Sequence, residues 1–341
     1  MLKSVRRKPK LYRTNYNHDN GKSIYSWEDL FGLYINAKEA QGLAKGTIQN
    51  NREYQKLLMT YLTHRGLTDL KPHEFKVEHV RDFIAYLRNE HVKYKKNHCV
   101  KQANKTVGVT INYVNTVLKS LRPTFSFFVE EGYIDENPFR KVPLLKEERD
   151  TVEALTMQQV SRLLKAPDKR TYAGFRDYVL LTLLVDTGMR IGEALNLRFD
   201  HINFKSNVIE IPSNIAKNRK TRHVPISNKT SRLLRELRAE VEELHTPYVF
   251  VSCYGNQLDD GRIRSRLRDY GELAGLKGVK LTPHVLRHTF AKYYLLNNGD
   301  IMTLQKILGH STLDMVRRYV QMTERDMKHQ HSKFSPLNLI Q

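Results

Sequence analysis

The chain has 341 residues and a mass of 40.0 kDa, more than one typical core accommodates, which suggests two domains. Its basic side chains exceed its acidic ones by 21, with a pI of about 9.8. The excess is shared almost equally between residues 1–150 and the remainder, so both parts are expected to face a polyanion, either nucleic acid or an anionic surface. Cys99 and Cys253 are far apart and outside any CxxC pattern, which argues against a disulfide framework or a zinc ribbon. No apolar run approaches the roughly 20 residues of a membrane span, and the basic start MLKSVRRKPK is not followed by an apolar stretch. A cytoplasmic protein with access to DNA is expected.

Residues 1–24 carry Arg6, Arg7, Lys8, Lys10 and Arg13 without periodicity and read as a basic, flexible arm suited to lie along phosphates. Ser26 and Asp29 have capping-box spacing ahead of Leu30, Leu33, Tyr34 and Ala37, an amphipathic helix. A second helix is expected to start with Thr47 as its cap and to carry Ile48, Tyr54, Leu57, Leu58 and Leu62 until Gly66. A third covers 73–92. Residues 103–131 supply a fourth and a fifth, broken near Pro123. This makes an all-α unit over 25–136, with Lys45, Thr47, Arg52, Lys105, Thr106, Asn112 and Lys119 as candidate DNA contacts, although charged helix faces are usually only solvated. Residues 137–154 contain two prolines and mixed charge with no clean period, which reads as an interdomain linker.

A second unit is expected over 155–326. Thr156 caps a short helix with Val160, Leu163 and Leu164. An apolar helix over 175–186 stops at Gly188, and Arg190 opens the next with Glu193, Ala194 and Leu197 behind it. Taken alone, Arg190 could be merely the ion-pair partner of Asp186 or Glu193. NVIEI (207–211) and TRHVPI (221–226) alternate as two strands, and their connection carries Lys217, Arg219 and Lys220. After a helix over 228–245, Arg262, Arg264, Arg266 and Arg268 alternate at a helix start, a candidate phosphate-binding cluster. Residues 282–323 then bring His284 and Arg287 onto one helical face. They end a short helix at Gly309 beside His310, and carry Tyr319 on a last helix opened by Ser311 and Asp314. Arginine matches phosphate oxygens and tyrosine can act as a nucleophile, so the combination suggests phosphate chemistry.

HVLRHTFA, LGHS and a tyrosine nine residues after His310, together with TGMRIGEALNLRFDHI and AKNRKTRHVPI, resemble the catalytic boxes of the tyrosine recombinases, the phage integrase family. The resemblance implies a mainly α fold with a small antiparallel β-sheet (α+β): a helical core-binding domain followed by a catalytic domain. It implies six catalytic residues, Arg190, Lys217, His284, Arg287, His310 and Tyr319, with Lys220 as the alternative hairpin lysine. Arg219, Lys220, Arg262 and Arg264 become further candidates for DNA contact. The implied reaction cuts and rejoins double-stranded DNA through a 3′-phosphotyrosine and a Holliday junction in a homo-tetramer, without ATP, metal or other cofactor. It serves a phage or mobile element, with accessory DNA-bending or directionality factors as further partners. The tail over 327–341 is expected to dock on a neighbouring protomer or to fold back on its own domain. Two rivals remain. HVLRH resembles a zinc protease motif but lacks the glutamate after His284. A catalytically silent DNA-binding regulator of the same fold would share the charge but has no reason to keep the catalytic set.

Overall fold

The computed structural model describes residues 25–92, 106–146, 153–310, 312, 328 and 331–340. Tyr319, Lys105, the arm over 1–24 and the Ser311–Asp314 cap lie outside these residues. The chain divides into two compact units, Met1–Arg149 and Asp150–Gln341. No described helix is long and apolar enough to cross a membrane.

Among the described residues, four α-helices build the first unit: α1 (Trp27–Ala40), α2 (Lys45–His64), α3 (Val77–Asn89) and α4 (Ile111–Glu130). Ser26 and Asp29 close the expected capping box on α1. Helix α2 starts earlier than the sequence suggested: Ala44 is its N-cap, without a side-chain hydrogen bond, and Thr47 lies inside the first turn. The break expected at Pro123 is absent. Leu121, Phe125 and Phe128 are fully buried on both sides of it, and that continuous apolar stripe outweighs the hydrogen bond proline cannot donate. Nearby carbonyls find side-chain donors instead, Thr124 for Ser120 and Asn137 for Arg122.

The expected linker also begins later than its composition suggested. Phe139 is fully buried against Phe125, with ring centroids 4.7 Å apart, and Asn115 exchanges two 2.9 Å hydrogen bonds with the backbone of Leu145. Residues 137–145 are therefore part of the helical unit, held by buried aromatic surface worth about 1.5–3 kcal/mol per large side chain.

The second unit is arranged around α6 (Tyr172–Thr187), apolar on nearly every side and covered by α5 (Met157–Lys165), α8 (Asn228–Val241) and α10 (Pro283–Leu296). Three short antiparallel strands lie in the order β1 (Ile202–Asn203), β2 (Val208–Ile211), β3 (Arg222–Pro225), with Ile209 opposite Val224. Tyr248 and Val251, in the apolar stretch after α8, make only isolated bridges, to Arg198 and Gln257. Helices α7 (Ile191–Leu195), α9 (Asp260–Leu273) and α11 (Ile301–Leu308) are also among the described residues. The four alternating arginines of α9 do not form one cluster, because a helix turns alternate residues apart. Arg266 turns to Asp177 and Tyr270, where Asp177 also holds buried Arg176, so its guanidinium is engaged within the unit although the side chain is only half-buried.

Candidate active site

Backbone turns that only certain residues tolerate set up the site. Helix α6 ends at Gly188, with φ of +60°, and α11 ends at Gly309, with φ of +64°. Both lie in the left-handed region that side chains disfavour. A Cβ at Gly188 would also sit 2.9 Å from Leu308 Cδ2, and one at Gly309 2.9 Å from Arg222 Cδ. The Gly188 turn aims a carbonyl at Arg287, and the Gly309 turn delivers His310.

Arg287, on the inner face of α10, is 2% exposed. Its Nη1 donates to Gly188 O at 2.8 Å, and its Nη2 donates to Leu308 O at 2.9 Å and to His310 Nε2 at 2.6 Å. Since guanidinium can only donate, Nε2 of His310 accepts and the neutral ring carries its proton on Nδ1. Burial, then the positive charges of Arg287, Arg190 and Arg222, push the His310 pKa down to about 3, so the ring is neutral at pH 7.

Arg190 caps α7 and is organised by Glu193. The carboxylate accepts from Arg190 N and Nη1, both at 3.0 Å, and from Arg222 Nη1 and Nη2 at 3.1 and 2.6 Å. Glu193 is 2% exposed. Burial alone would raise its pKa, but the hydrogen bonds and charges of Arg222 and Arg190 outweigh it and the net shift is downward. A carboxylate so enclosed depends on its partners: removing one typically costs about 3–5 kcal/mol.

His284, on the first turn of α10, lies at the surface. Partial desolvation, then the charges of Arg264, Arg287, Lys217 and Arg190, lower its pKa. The 212–221 connection between β2 and β3 carries Lys217, Arg219 and Lys220 at exposed positions, and it is tied to the site where Asn218 Nδ2 donates to Gly309 O at 3.3 Å. Arg190, Arg287 and His310 are thus brought together, with His284 and Lys217 in their electrostatic field; Tyr319 lies outside the described residues.

The candidate DNA contacts differ in how they are engaged. Lys45, Thr47, Thr106, Asn112, Lys119 and Arg262 are exposed. Arg52 is paired with Glu39 at 2.9 Å and Arg264 with Asp260 at 2.8 Å, exposed pairs worth at most about 1 kcal/mol and readily exchanged for a phosphate. Arg222 is the residue the sequence reading overlooked. Its signal was present: in TRHVPI it takes the same inward face as Val224, where an unpaired charge is rarely placed.

Residues 153–325 match the phage integrase family and residues 29–146 its SAM-like domain. The chain belongs to the phage integrase family, the tyrosine recombinases. It is an enzyme of site-specific DNA recombination, and the tyrosine recombinase XerC of Oceanobacillus iheyensis is 31% identical over 269 residues, 74% of this chain and 86% of that one. The fold agrees with solved integrases. The Tn1549 transposon integrase in complex with a circular intermediate DNA gives a TM-score of 0.65 at 17% identity, covering 89% of this chain and 99% of that one. A lambda integrase tetramer bound to a Holliday junction gives 0.64 at 16%, covering 87% and 78%.

Proposed function

We propose that this tyrosine recombinase cuts and rejoins DNA through a 3′-phosphotyrosine at Tyr319, for a phage or mobile element. The observation that carries the reading is the convergence of Arg190, Arg287 and His310, with His284 and Lys217 within reach of their charges. Arg190 and Arg287 neutralise the non-bridging oxygens of the scissile phosphate, where charge grows in the transition state, and His310 adds a hydrogen bond. The phenol oxygen of Tyr319 attacks phosphorus. Its proton is taken up with the help of His284, whose lowered pKa leaves it neutral and able to accept. As the bond to the 5′ oxygen breaks, Lys217 supplies that oxygen with a proton. A 5′ hydroxyl from a second duplex reverses the step, so no ATP is consumed, and two arginines provide the charge a metal would otherwise bring.

The helical unit contacts DNA through its exposed basic and polar positions, Lys45, Thr47, Asn112 and Lys119 among them. Strand exchange proceeds in a homo-tetramer on a Holliday junction, the assembly named for the lambda integrase relative in fold, in the cytoplasm at the nucleoid and with accessory bending or directionality factors. The exposed apolar side chains of Phe334, Leu337 and Ile340 suit a tail that docks on a neighbouring protomer.

The test uses nicked suicide duplexes taken from the borders of the genetic element that encodes the chain. A covalent protein-DNA adduct on a denaturing gel, lost in Tyr319→Phe while site binding stays within a few fold, supports the reading. An adduct that persists in that variant rejects Tyr319 as nucleophile.

A further inference from the structure

Arg222 holds together three parts of the site that the chain delivers separately. It stands at the start of β3, directly after the connection that carries Lys217. Its Nη1 and Nη2 donate to both oxygens of Glu193, at 3.1 and 2.6 Å, and the same carboxylate holds the side chain and backbone of Arg190. Its Nε donates to Ile307 O at 2.9 Å, in the last turn of α11. Its aliphatic stem packs on Gly309 so closely that a Cβ there would meet Cδ at 2.9 Å and Nε at 3.1 Å. The side chain is 8% exposed, and every donor named here is spent on protein. Arg222 is therefore not poised to reach a phosphate, unlike Arg190, which is 17% exposed at its side chain.

We propose that Arg222 is a positioning residue for strand cleavage: through Glu193 it orients Arg190, and through Ile307 and Gly309 it fixes the turn that presents His310. The proposal rests on the recombinase reading above. Its physical content is that one planar fork serves two directions at once. Two parallel N–H groups match a carboxylate, and the third points along a different axis to a carbonyl. A lysine at 222 could pair with Glu193 but could not also hold Ile307 O in that geometry. Misplacing a phosphate ligand by about 1 Å is enough to lower a rate about a hundredfold without removing any group that touches substrate.

The experiment compares the full-length chain with Arg222→Lys, Arg222→Met, Glu193→Gln and the double variant Arg222→Met/Glu193→Gln. The substrates are nicked duplexes on which the unaltered chain forms its adduct. Thermal melting establishes that each variant is folded at the assay temperature. Half-saturation of the duplex and the single-turnover rate at saturating protein are then measured separately. In the expected result, both Arg222 variants bind DNA within about threefold of the unaltered chain but cleave about a hundredfold more slowly. The double variant is then no slower than the worse of its two parents, since both act along one route. Should Arg222→Met unfold, Arg222→Lys carries the test, because one ammonium keeps Glu193 paired. Folded variants that cleave within threefold of the unaltered chain overturn the positioning role alone, as does a loss that appears in binding and not in rate. If both single Arg222 variants unfold, the residue serves the fold and the proposal falls. An unaltered chain that forms no adduct with any duplex overturns the recombinase reading itself, and this proposal with it.

Discussion

Arg287, on α10, and His310, in the turn after α11, meet through a 2.6 Å hydrogen bond from Nη2 to Nε2. The bond requires a neutral imidazole, and burial, reinforced by the surrounding arginines, enforces one by pushing the His310 pKa down to about 3. An unfolded chain has no such neighbours, so its histidine protonates near pH 6.5. Between those two values the unfolded state binds a proton that the folded state refuses, and stability must fall as pH falls through that window. Replacing His310 by Asn removes the term. Urea unfolding at pH 7 and pH 4.5 is expected to show the unaltered chain losing about 2–3 kcal/mol more than His310→Asn, at about 1.4 kcal/mol per pH unit. Equal losses in the two proteins would remove the linkage.

Gly188 offers a test of how closely the fold and the site are joined. Alanine there meets two penalties, a left-handed backbone and contact with Leu308, each worth about 1–3 kcal/mol. The Gly188 carbonyl also anchors Arg287, so the rate of single-turnover cleavage is expected to fall about a hundredfold. A variant that is destabilised yet cleaves at the usual rate would show that this anchor is dispensable.

The hairpin lysine can be identified by changing the leaving group. If Lys217 protonates the departing oxygen, Lys217→Ala loses adduct formation on ordinary DNA and recovers it on a substrate whose 5′ bridging oxygen is replaced by sulfur, because a thiolate leaves without an acid. Lys220→Ala is expected to show no such selective recovery. Recovery confined to Lys220→Ala would transfer the role to Lys220.

Phe139 tests the boundary of the helical unit. Phe139→Ala is expected to destabilise that unit by about 3–5 kcal/mol. Trp27 is the sole tryptophan of the chain and packs edge-on against Phe75 at 5.5 Å, so its fluorescence follows this unit selectively. A change below about 0.5 kcal/mol would mean that 137–145 is only tethered, as a linker would be.

Much of the catalytic unit was legible because its punctuation is local. Thr156, Gly188 and Gly309 cap their helices where the sequence suggested, since each acts on the turn it stands beside. The failures share a different cause. Pro123 was overruled by burial on either side of it, and the prolines at 138 and 143 masked a segment whose aromatic ring belongs to a distant helix. In α9, four arginines look alike in the chain, and only the position of Asp177, on α6, separates the half-buried, paired Arg266 from its neighbours. The role of Arg222 was hidden for the same reason: its partners Glu193 and Ile307 lie 29 and 85 residues away in sequence.

These separations also set an order of events in the cell. A chain grows from its first residue, and domains tend to fold as units in that order. The helical unit has its own aromatic core and is complete by Arg149. The contact between Arg287 and His310 cannot form until the Gly309 turn has been synthesised, close to the end of the chain. Translation therefore yields the helical unit well before Arg287 is locked in place, and a polypeptide that stops short of Gly309 has its first core assembled without the Arg287–His310 pair.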